Sequence, residues 1–421
     1  MEAWPVRGIA NPNGTSCHVG SALLLLKYCL EPLASQIVAD AAANAVNDDV
    51  VHVVGQFVRH HDTNVKLLFD TLRSAVEIEA RDLGDVITTF MKLINYFCQL
   101  TKGDDDDEHR DTKSNLASIW NQCCNAGKVH SVLLGNVKGE DGGNAATHRK
   151  ETKPRCMPVP FRVNVSSRKQ LSLIDMIRDT LQPQVVKDYV WENQSNSCVE
   201  IQTSRTLVID NLPPVWLLHI DWFAPSPDGE NDFGTLCVPS KLMTHRILDT
   251  KDTSSYYELI GGVLLSQVHD EEITDERDRR HYIPLISKDS VWYMLDDDEE
   301  PQEVSEERCL ELFGGVSHGE ESPFRDNGET VSVRGYLLVY RDPSQCEKLS
   351  FVPDQVQNPT CIDWTLPVTF VGRRLRVQWA KGKRYDGVVT SYNETTGKHQ
   401  IRYDDGDVKE YVLWKKTIEW L

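Results

Sequence analysis

The sequence predicts an α+β fold followed by a small β-barrel near the end of the chain. Apolar residues first recur at the 3.6-residue spacing of helices. From about Ser131 they form short runs separated by turn residues, which is typical of strands. Helices that precede strands, instead of alternating with them, favour two packed halves with a cleft between them. After Pro367 a compact set of alternating strands indicates the barrel.

The helical part of the chain begins at Cys17. The apolar residues that follow it share one face of a helical period, and Pro32 is expected to end this first helix. The segment from Lys102 to Glu108 contains no apolar residue and is predicted to be an exposed acidic loop. Further helices are predicted over Val50–Phe57, Val65–Ile78 and Leu83–Leu100.

The strand-rich part contains one further helix, predicted over Leu171–Leu181 and ended before Pro183. Two segments, Gly139–Gly143 and Arg325–Gly328, carry turn residues and are predicted loops. Strands are predicted over Val132–Leu134, Phe161–Val165, Thr206–Ile209, Val215–Ile220, Tyr257–Leu265, His281–Ile286, Val291–Leu295 and Val331–Tyr340.

Prolines recur between residues 343 and 367 with little periodic pattern, which indicates a linker. We therefore expect three parts: a first domain over residues 1–345, a linker over 346–368 and a barrel over 369–421. The strands of the barrel are predicted over Leu375–Trp379, Gly387–Tyr392, His399–Tyr403 and Val408–Leu413.

Charge is unevenly distributed along the chain. The formal net charge is −19, but residues 372–421 contain 11 basic and 7 acidic residues, so this segment carries +4 and the remainder −23. An acidic body favours a basic partner and disfavours nucleic acid. The basic tail indicates a separate unit with its own partner, although a charge run is as often only a solvated surface.

Composition also restricts the cellular compartment that we expect for the protein. No run approaches the roughly 18 apolar residues of a membrane helix, and the N-terminus lacks a basic start followed by an apolar core, so we expect neither a membrane anchor nor a secretory signal. We expect a cytoplasmic or nuclear protein whose 11 cysteines are reduced. Since the chain has no Cys-x-x-Cys pair, a structural metal site is not expected.

The segment from Asn11 to His18 is rich in turn residues and leads directly into the helix that begins at Cys17. A helix N-terminus carries partial positive charge and free N–H groups, which lower the pKa of a thiol and favour the nucleophilic thiolate. The same N–H groups can stabilise an oxyanion. The alternative is an ordinary capped helix that contains a small buried cysteine.

His281 is the candidate base for this thiol. The sequence around it predicts a hairpin with a four-residue loop, Ser287–Ser290. If Ile286 faces Val291, then His281 faces Asp296, with Cβ atoms about 5 Å apart. A carboxylate at that distance can hydrogen-bond one ring nitrogen and leave the other free for the thiol.

Pro284 indicates that the strand carrying this histidine lies at a sheet edge, because proline removes a backbone donor. The alternative interpretation is a surface histidine beside the acidic loop Asp296–Glu300. The cysteine segment is the reason to prefer the catalytic interpretation, since a thiolate peptidase needs a base and a group that orients it.

The order of these segments resembles the ubiquitin-specific proteases. Their cysteine box has a Gly-Leu-x-Asn lead, then Gly-Asn-Thr-Cys-Tyr and a helix, and the chain has Gly8–Asn11 and then Gly14–His18. Their Leu-Pro-x-x-Leu strand, which ends in Arg-Phe, resembles Leu212–Phe223. Their histidine box and closing strand are similar to Tyr257–Leu259, His281-Tyr282, Trp292, Asp296-Asp297 and Tyr336–Tyr340.

The resemblance covers roughly residues 5–341 and implies a papain-like cysteine peptidase with a helical thumb and β-rich palm and fingers. It implies Cys17 as nucleophile, His281 as general base and Asp296 as the residue that orients the imidazole. Asp297 is implied to hold water or the oxyanion. The implied reaction hydrolyses the bond after the C-terminal glycine of ubiquitin, with no cofactor and no metal, and ubiquitin or ubiquitinated proteins as partners.

The chain departs from the family pattern at several positions. The oxyanion asparagine of the family lies five residues before the cysteine, where this chain has Pro12. Either Asn13 or Asn11 could take that role, and we favour Asn13. Arg280 and Leu24 replace a family glycine and glutamine, and the two Cys-x-x-Cys pairs of many members are missing. These departures leave open a catalytically weak or inactive ubiquitin-binding scaffold.

The C-terminal segment resembles Tudor-like domains, whose barrels can hold methylated lysine or arginine in an aromatic cage by cation–π attraction. Trp379, Tyr385 and Tyr403 are the candidate cage residues. A methylated peptide is therefore an expected partner. The alternative is that these aromatic residues pack the core of a barrel too small to spare them.

Overall fold

The computed structural model divides the chain into two compact units. The helical unit comprises Met1–Trp120, Leu295–Pro301 and Ser350–Leu421, and the sheet unit comprises Asn121–Met294 and Gln302–Leu349. The structure describes residues 6–11, 16–43, 48–59, 64–78, 84–100, 115–137, 147–165, 171–187, 189, 201–222, 235–248, 254–268, 280–315, 331–346, 367–379 and 383–421.

Several predicted features lie outside the described residues. These are Asn13, the acidic segment Lys102–Glu108, the predicted loops at Gly139–Gly143 and Arg325–Gly328, and residues 347–366 of the predicted linker.

The helices near the start of the chain confirm four of the sequence predictions and add others. Pro32 does not simply end the first helix: it lies in the first turn of the next one, where its missing N–H costs no helical hydrogen bond. The helices are α1 Cys17–Cys29, α2 Glu31–Ala43, α3 Asp49–Arg59, α4 Val65–Val76, α5 Val86–Gln99 and α6 Leu116–Cys123.

Helix α1 is the core of the helical unit. All of its residues except Lys27 and Tyr28 are buried, which explains why it is apolar on every face. A Cβ on Gly20 would lie 2.5 Å from Cγ2 of Ile9, so only glycine lets the segment before α1 pack back on it. No described single helix is long and apolar enough to span a membrane; α1 and α2 pass that test only as a pair bent by 96°.

The sheet unit contains an eight-stranded sheet in the order β14-β13-β12-β11-β15-β8-β4, with β10 also paired to β11, and a five-stranded sheet built on β2-β1-β7-β6. Its strands are β1 Lys128–Val137, β2 Thr147–Glu151, β3 Arg155–Cys156, β4 Phe161–Asn164, β5 Leu171–Ser172, β6 Gln184–Val186, β7 Ile201–Asn211, β8 Val215–Asp221, β9 Leu236–Cys237, β10 Lys241–Met243, β11 Tyr256–Val268, β12 Arg280–Lys288, β13 Val291–Met294, β14 Gln302–Val304 and β15 Val331–Arg341.

Buried aromatic residues and short helices hold this unit together. Trp216, Trp222, Tyr257 and Phe313 are among its largest fully buried side chains. A Cβ on Gly335 would lie 2.7 Å from the carbonyl oxygen of Phe313, so a glycine in β15 allows the helix that carries Phe313 to approach the sheet closely. The helices are α7 Leu173–Leu181, α8 His245–Leu248, α9 Glu306–Gly314 and α10 Pro343–Cys346.

The hairpin that carries His281 has a different register from the predicted one. Ile286 pairs with Tyr293, not with Val291, because the turn has two residues instead of four. These are Asp289 and Ser290, both with positive φ, 52° and 65°, as a tight hairpin turn requires. The prediction of a four-residue loop is therefore wrong, and the ladder ends at the pair Leu285–Met294 before it reaches the predicted facing pair.

The prediction that Pro284 marks an edge strand is also wrong, since β12 lies between β11 and β13. Pro284 pairs with Val263 of β11 and lies one residue beyond the last pair that β12 forms with β13. A residue without a backbone N–H is tolerated there because the ladder on the β13 side has already ended.

The C-terminal segment forms a five-stranded antiparallel sheet in the order β19-β18-β17-β16-β20, which confirms the predicted strands and adds the last one. It encloses its own apolar core, which includes Phe370, Leu375 and Ile401. We call this part, Pro367–Leu421, the barrel. Its strands are β16 Arg374–Gln378, β17 Arg384–Asn393, β18 Lys398–Tyr403, β19 Val408–Tyr411 and β20 Ile418–Trp420.

His52 of α3 makes the stability of the helical unit depend on pH. Its side chain is fully buried, and burial lowers its pKa from 6.5 to about 4, while Asp49 partly opposes this shift. The unfolded chain therefore binds the proton first as the pH falls. We expect the free energy of unfolding to fall between about pH 6.5 and pH 4, by at most roughly 3 kcal/mol from this group.

Urea unfolding at a series of pH values checks this, with His52→Gln as the variant that cannot titrate. The native chain should lose more stability on acidification than the variant does. Parallel curves for the two proteins would contradict the assignment.

Candidate active site

Cys17 is the first residue of α1 and is 5% exposed. The backbone carbonyl of Ser16 accepts from the N–H groups of Val19 and Gly20, which closes the first turn. The Ser16 side chain makes no cap for this helix. The thiol thus lies at the N-terminal end of a buried helix, the position predicted from the sequence.

The Ser16 side chain is directed to Asn11 instead. The side-chain oxygen of Asn11 accepts from the backbone N–H of Ser16 at 2.9 Å and from its hydroxyl at 2.7 Å. The Asn11 amide group donates to a carboxylate oxygen of Asp297 at 3.0 Å. Two donors on one side and an acceptor on the other fix the orientation of this amide. Asn11 therefore joins the start of α1 to the acidic turn.

Asp297 lies in a tight turn that is packed against the segment before Asn11. The turn is closed by the N–H of Glu299 and the carbonyl oxygen of Asp296, 3.0 Å apart. Asp297 has a φ of 47°, a left-handed conformation that aspartate tolerates better than most residues. A Cβ on Gly8 would lie 1.7 Å from the Asp297 carbonyl oxygen, so only glycine permits this approach.

His281 is the second residue of β12 and is partly buried. Its backbone position is fixed by the ladder with β11, in which it pairs with Ser266. The next residue, Tyr282, is buried and packs on Tyr336 of β15 with ring centroids 5.5 Å apart. The histidine therefore stands on a strand that is held between two others, not on a loop.

Asp296 and Asp297 lie just beyond β13 and are partly buried. The sequence prediction of Asn13 as an active-site donor is not tested, because Asn13 lies outside the described residues.

In the barrel, the three candidate cage rings are mutual neighbours. The ring centroid of Trp379 lies 5.0 Å from that of Tyr385 and 5.8 Å from that of Tyr403. Trp379 is 37% exposed, whereas Tyr403 is 3% exposed and belongs to the barrel core. Trp379 Nε1 donates to the Tyr403 hydroxyl at 3.2 Å, so the exposed ring is anchored on the buried one.

A cavity of about 290 Å³ opens beside Trp379, and sequence reasoning missed the other four residues that line it, Val377, Gln378, Tyr411 and Lys416. Tyr411 and Lys416 line it, and Lys416 Nζ lies 4.9 Å from the centre of the Tyr411 ring. The Tyr403 hydroxyl donates to that of Tyr411 at 3.3 Å. Burial and this contact raise the pKa of Tyr403 well above its ordinary value. An aromatic residue near a lysine in the last strands was the only sequence signal for this pair.

Comparison with solved structures identifies the fold. The chain matches the SAGA DUB module Ubp8/Sgf11/Sus1/Sgf73 bound to monoubiquitin with a TM-score of 0.53 and 16% identity, over 80% of this chain and 69% of that chain. It matches the same module bound to ubiquitin aldehyde with a TM-score of 0.50 and 16% identity, over the same shares. The chain has a ubiquitin-specific protease-like fold. This confirms the predicted α+β, papain-like class.

Sequence comparisons cover much less of the chain, and no protein-family model matches it. It is 42% identical over 52 residues to the DNA mismatch repair protein MSH6 of Arabidopsis thaliana, which is 12% of this chain and 4% of that protein. It is 38% identical over 55 residues to the histone-lysine N-methyltransferase TRX1 of Oryza sativa subsp. japonica. These residues are 13% of this chain and 5% of that protein. The chain thus spans about one twentieth of the length of these curated relatives.

We expect Asn11→Ala to destabilise the chain by roughly 1–3 kcal/mol, because it removes the acceptor of two Ser16 donors and the donor to Asp297 at once. The measurement is urea unfolding of the full chain. Asn125→Ala is the matched control, since it removes an exposed side-chain amide that donates to Asn121. Equal losses in the two variants would contradict the bridging role of Asn11.

Proposed function

We propose that the chain is a deubiquitinating cysteine peptidase that hydrolyses the peptide or isopeptide bond after the C-terminal glycine of ubiquitin. The observation that carries this is a thiol at the start of a buried helix, tied through Asn11 to an acidic turn, in a ubiquitin-specific protease-like fold. The solved structures that share the fold contain ubiquitin and ubiquitin aldehyde.

In the proposed reaction the Cys17 thiolate attacks the carbonyl carbon of the terminal glycine of ubiquitin. His281 accepts the thiol proton and then delivers it to the leaving amine, which leaves ubiquitin bound to Cys17 as a thioester. Water, deprotonated by His281, hydrolyses the thioester and restores the thiol. Asp296 orients the imidazole and stabilises its charged form.

The oxyanion needs donors that are fixed in place before the reaction. The first-turn N–H groups of α1 lie beside the thiol and are proposed as one source. The Asn11 amide is already held by Ser16 and Asp297, so we assign it to positioning and keep Asn13 as the proposed side-chain donor. Asp297, held by Asn11, is proposed to fix water or the oxyanion from the opposite side.

The test is reaction of the full chain with a ubiquitin probe that carries a C-terminal electrophile, followed by mass spectrometry. We expect a covalent adduct on the native chain and none on Cys17→Ala. His281→Ala and Asp296→Asn should form the adduct at least ~100-fold more slowly, because the thiol loses its base or the orientation of that base.

Lys288→Ala, which alters an exposed residue at the far end of β12, is the control and should react like the native chain. A folded native chain without adduct would overturn the proposal. An adduct that persists in Cys17→Ala would assign the reaction to another thiol.

The chain's departures from the family pattern, Pro12 and Arg280 among them, favour one alternative, a scaffold that binds ubiquitin with little turnover. Binding of ubiquitin by Cys17→Ala, combined with no hydrolysis by the native chain, would select it.

A second function is proposed for the barrel: recognition of a peptide that carries methylated lysine or arginine. The observation in its favour is that Trp379 is partly exposed and directly beside Tyr385 and Tyr403. The matches to MSH6 and TRX1 are 52 and 55 residues long, which is about the length of the barrel. One name concerns DNA mismatch repair and the other histone methylation, so we propose a nuclear location, with the cytoplasm as the alternative.

We expect full-length chain to bind a trimethyllysine peptide more tightly than its unmodified form, and Trp379→Ala to weaken this binding roughly tenfold through loss of a cation–π partner. Fluorescence polarisation with a panel of methylated peptides measures these affinities. Val408→Ala removes an exposed apolar side chain from the same barrel and is the control. Equal binding of modified and unmodified peptides would exclude the reader function.

A further inference from the structure

The barrel is packed on the helices of its own unit, and Trp414 is the centre of the contact. Its indole Nε1 donates to a carboxylate oxygen of Asp49 in α3 at 3.0 Å. Its ring stacks on the buried imidazole of His52, one turn further along α3, with centroids 5.1 Å apart and planes inclined by 28°. Trp414 is 4% exposed, so both its ring and its N–H are used.

Two further contacts surround this centre. Lys415 forms an ion pair with the same Asp49 carboxylate. At the start of α4, the Asn64 amide donates to the carbonyl oxygen of Glu394 at 2.8 Å, while its own oxygen caps the helix. The turn between β17 and β18, which contains Glu394, therefore contacts α4, and the turn that contains Trp414 contacts α3. Contacts at two separate turns fix the orientation of the barrel, which a single contact would not do.

Helix α3 is in turn joined to the nucleophile helix. Lys27 of α1 donates to the carbonyl oxygen of Phe57, near the end of α3, at 2.8 Å, and its ammonium lies 4.8 Å from the centre of the Phe57 ring. Burial lowers the pKa of Lys27 to about 8. Helix α3 also packs closely on α2, since a Cβ on Gly55 would lie 2.5 Å from Cβ of Ala41.

These contacts form a continuous packed path from Trp414 through α3 to Lys27 in the last turn of α1, the helix that begins at Cys17. Close-packed interiors transmit displacement because they have little free volume to absorb it. We propose that the barrel is a fixed support of the nucleophile helix, so that docking of Trp414 on α3 controls the order of α1 as a whole. The proposal rests on the proposed function only for the statement that Cys17 is the reacting thiol.

The same contact offers a route of regulation. Lys416 and Tyr411, which line the cavity beside Trp379, are within three residues of Trp414 in the chain. A ligand in that cavity would act on the turn that docks on α3. Occupancy of the barrel would then change the order of α1, and the order of α1 would change the affinity of the barrel by the same factor.

Hydrogen exchange of the full chain, read by mass spectrometry, tests the support role without ubiquitin. Trp414→Phe keeps an aromatic ring in the barrel core but removes the N–H donor and part of the ring area that stacks on His52. Asp49→Ala removes the acceptor of that N–H on α3. We expect either change to increase exchange in the first turn of α1, at Val19 and Gly20, roughly fivefold to tenfold. The double variant should show less than the sum of the two single effects, because both single variants remove the hydrogen bond between Trp414 and Asp49.

Val408→Ala is the control for an apolar loss elsewhere in the barrel, and Glu31→Ala is the control for loss of an acidic residue at a helix start. Both control variants should leave the amide protons of α1 protected from exchange, as in the native chain. Faster exchange confined to α3 would overturn the proposal, and so would additive effects in the double variant.

Probe reactivity separates this inference from the proposed function. If the native chain forms the ubiquitin adduct, Trp414→Phe should form it more slowly. If the native chain forms none, the deubiquitinase assignment fails, while the exchange result still decides whether the barrel supports α1.

Discussion

The arrangement at the start of α1 depends on one side-chain amide. Asn11 accepts two hydrogen bonds from Ser16 and donates one to Asp297, so a single group fixes both the start of the helix that carries Cys17 and the acidic turn. Such an amide is effective because its two ends differ: the oxygen can only accept and the nitrogen can only donate. An aspartate at position 11 would place a second negative charge beside that of Asp297. A leucine would leave the hydrogen-bonding groups of Ser16 and Asp297 without their partner at position 11.

Close approach of backbones is the second constraint. Gly8 lets the segment before the thiol touch the turn at Asp297, and Gly20 lets the same segment lie on α1. Neither contact adds a strong interaction of its own. They allow the segment to run between α1 and the turn at the distance at which the Asn11 amide reaches both sides. The glycines and the amide therefore act together, since either without the other leaves the segment misplaced.

The sequence was sufficient where local pattern determines structure. The helix at Cys17 and most strands follow from apolar spacing, and the barrel strands follow from alternation between turns. The hairpin register could not be predicted, because Asp289 and Ser290 adopt positive φ without the glycine or asparagine that usually indicates a two-residue turn. The error was two residues, an even number, so each side chain kept the face that the prediction assigned to it. The bridge from Asn11 to Asp297 joins residues 286 positions apart, and no local pattern encodes such a pair.

Trp414 shows the same limit on a larger scale and changes how the barrel should be understood. The positive charge of the C-terminal segment and the prolines before it suggested that the barrel is a tethered module with a partner of its own. A tethered module gains nothing by burying a tryptophan against a helix 365 positions away and by pairing that tryptophan's N–H with a carboxylate. Here burial of Trp414 removes apolar surface from water. It also removes water from the Asp49 carboxylate, and the Trp414 N–H and the Lys415 ammonium compensate for that loss. One short segment carries both this anchor and the residues Tyr411 and Lys416 beside the exposed Trp379. Under the proposed reader function, a ligand of the barrel would therefore also act on its contact with α3.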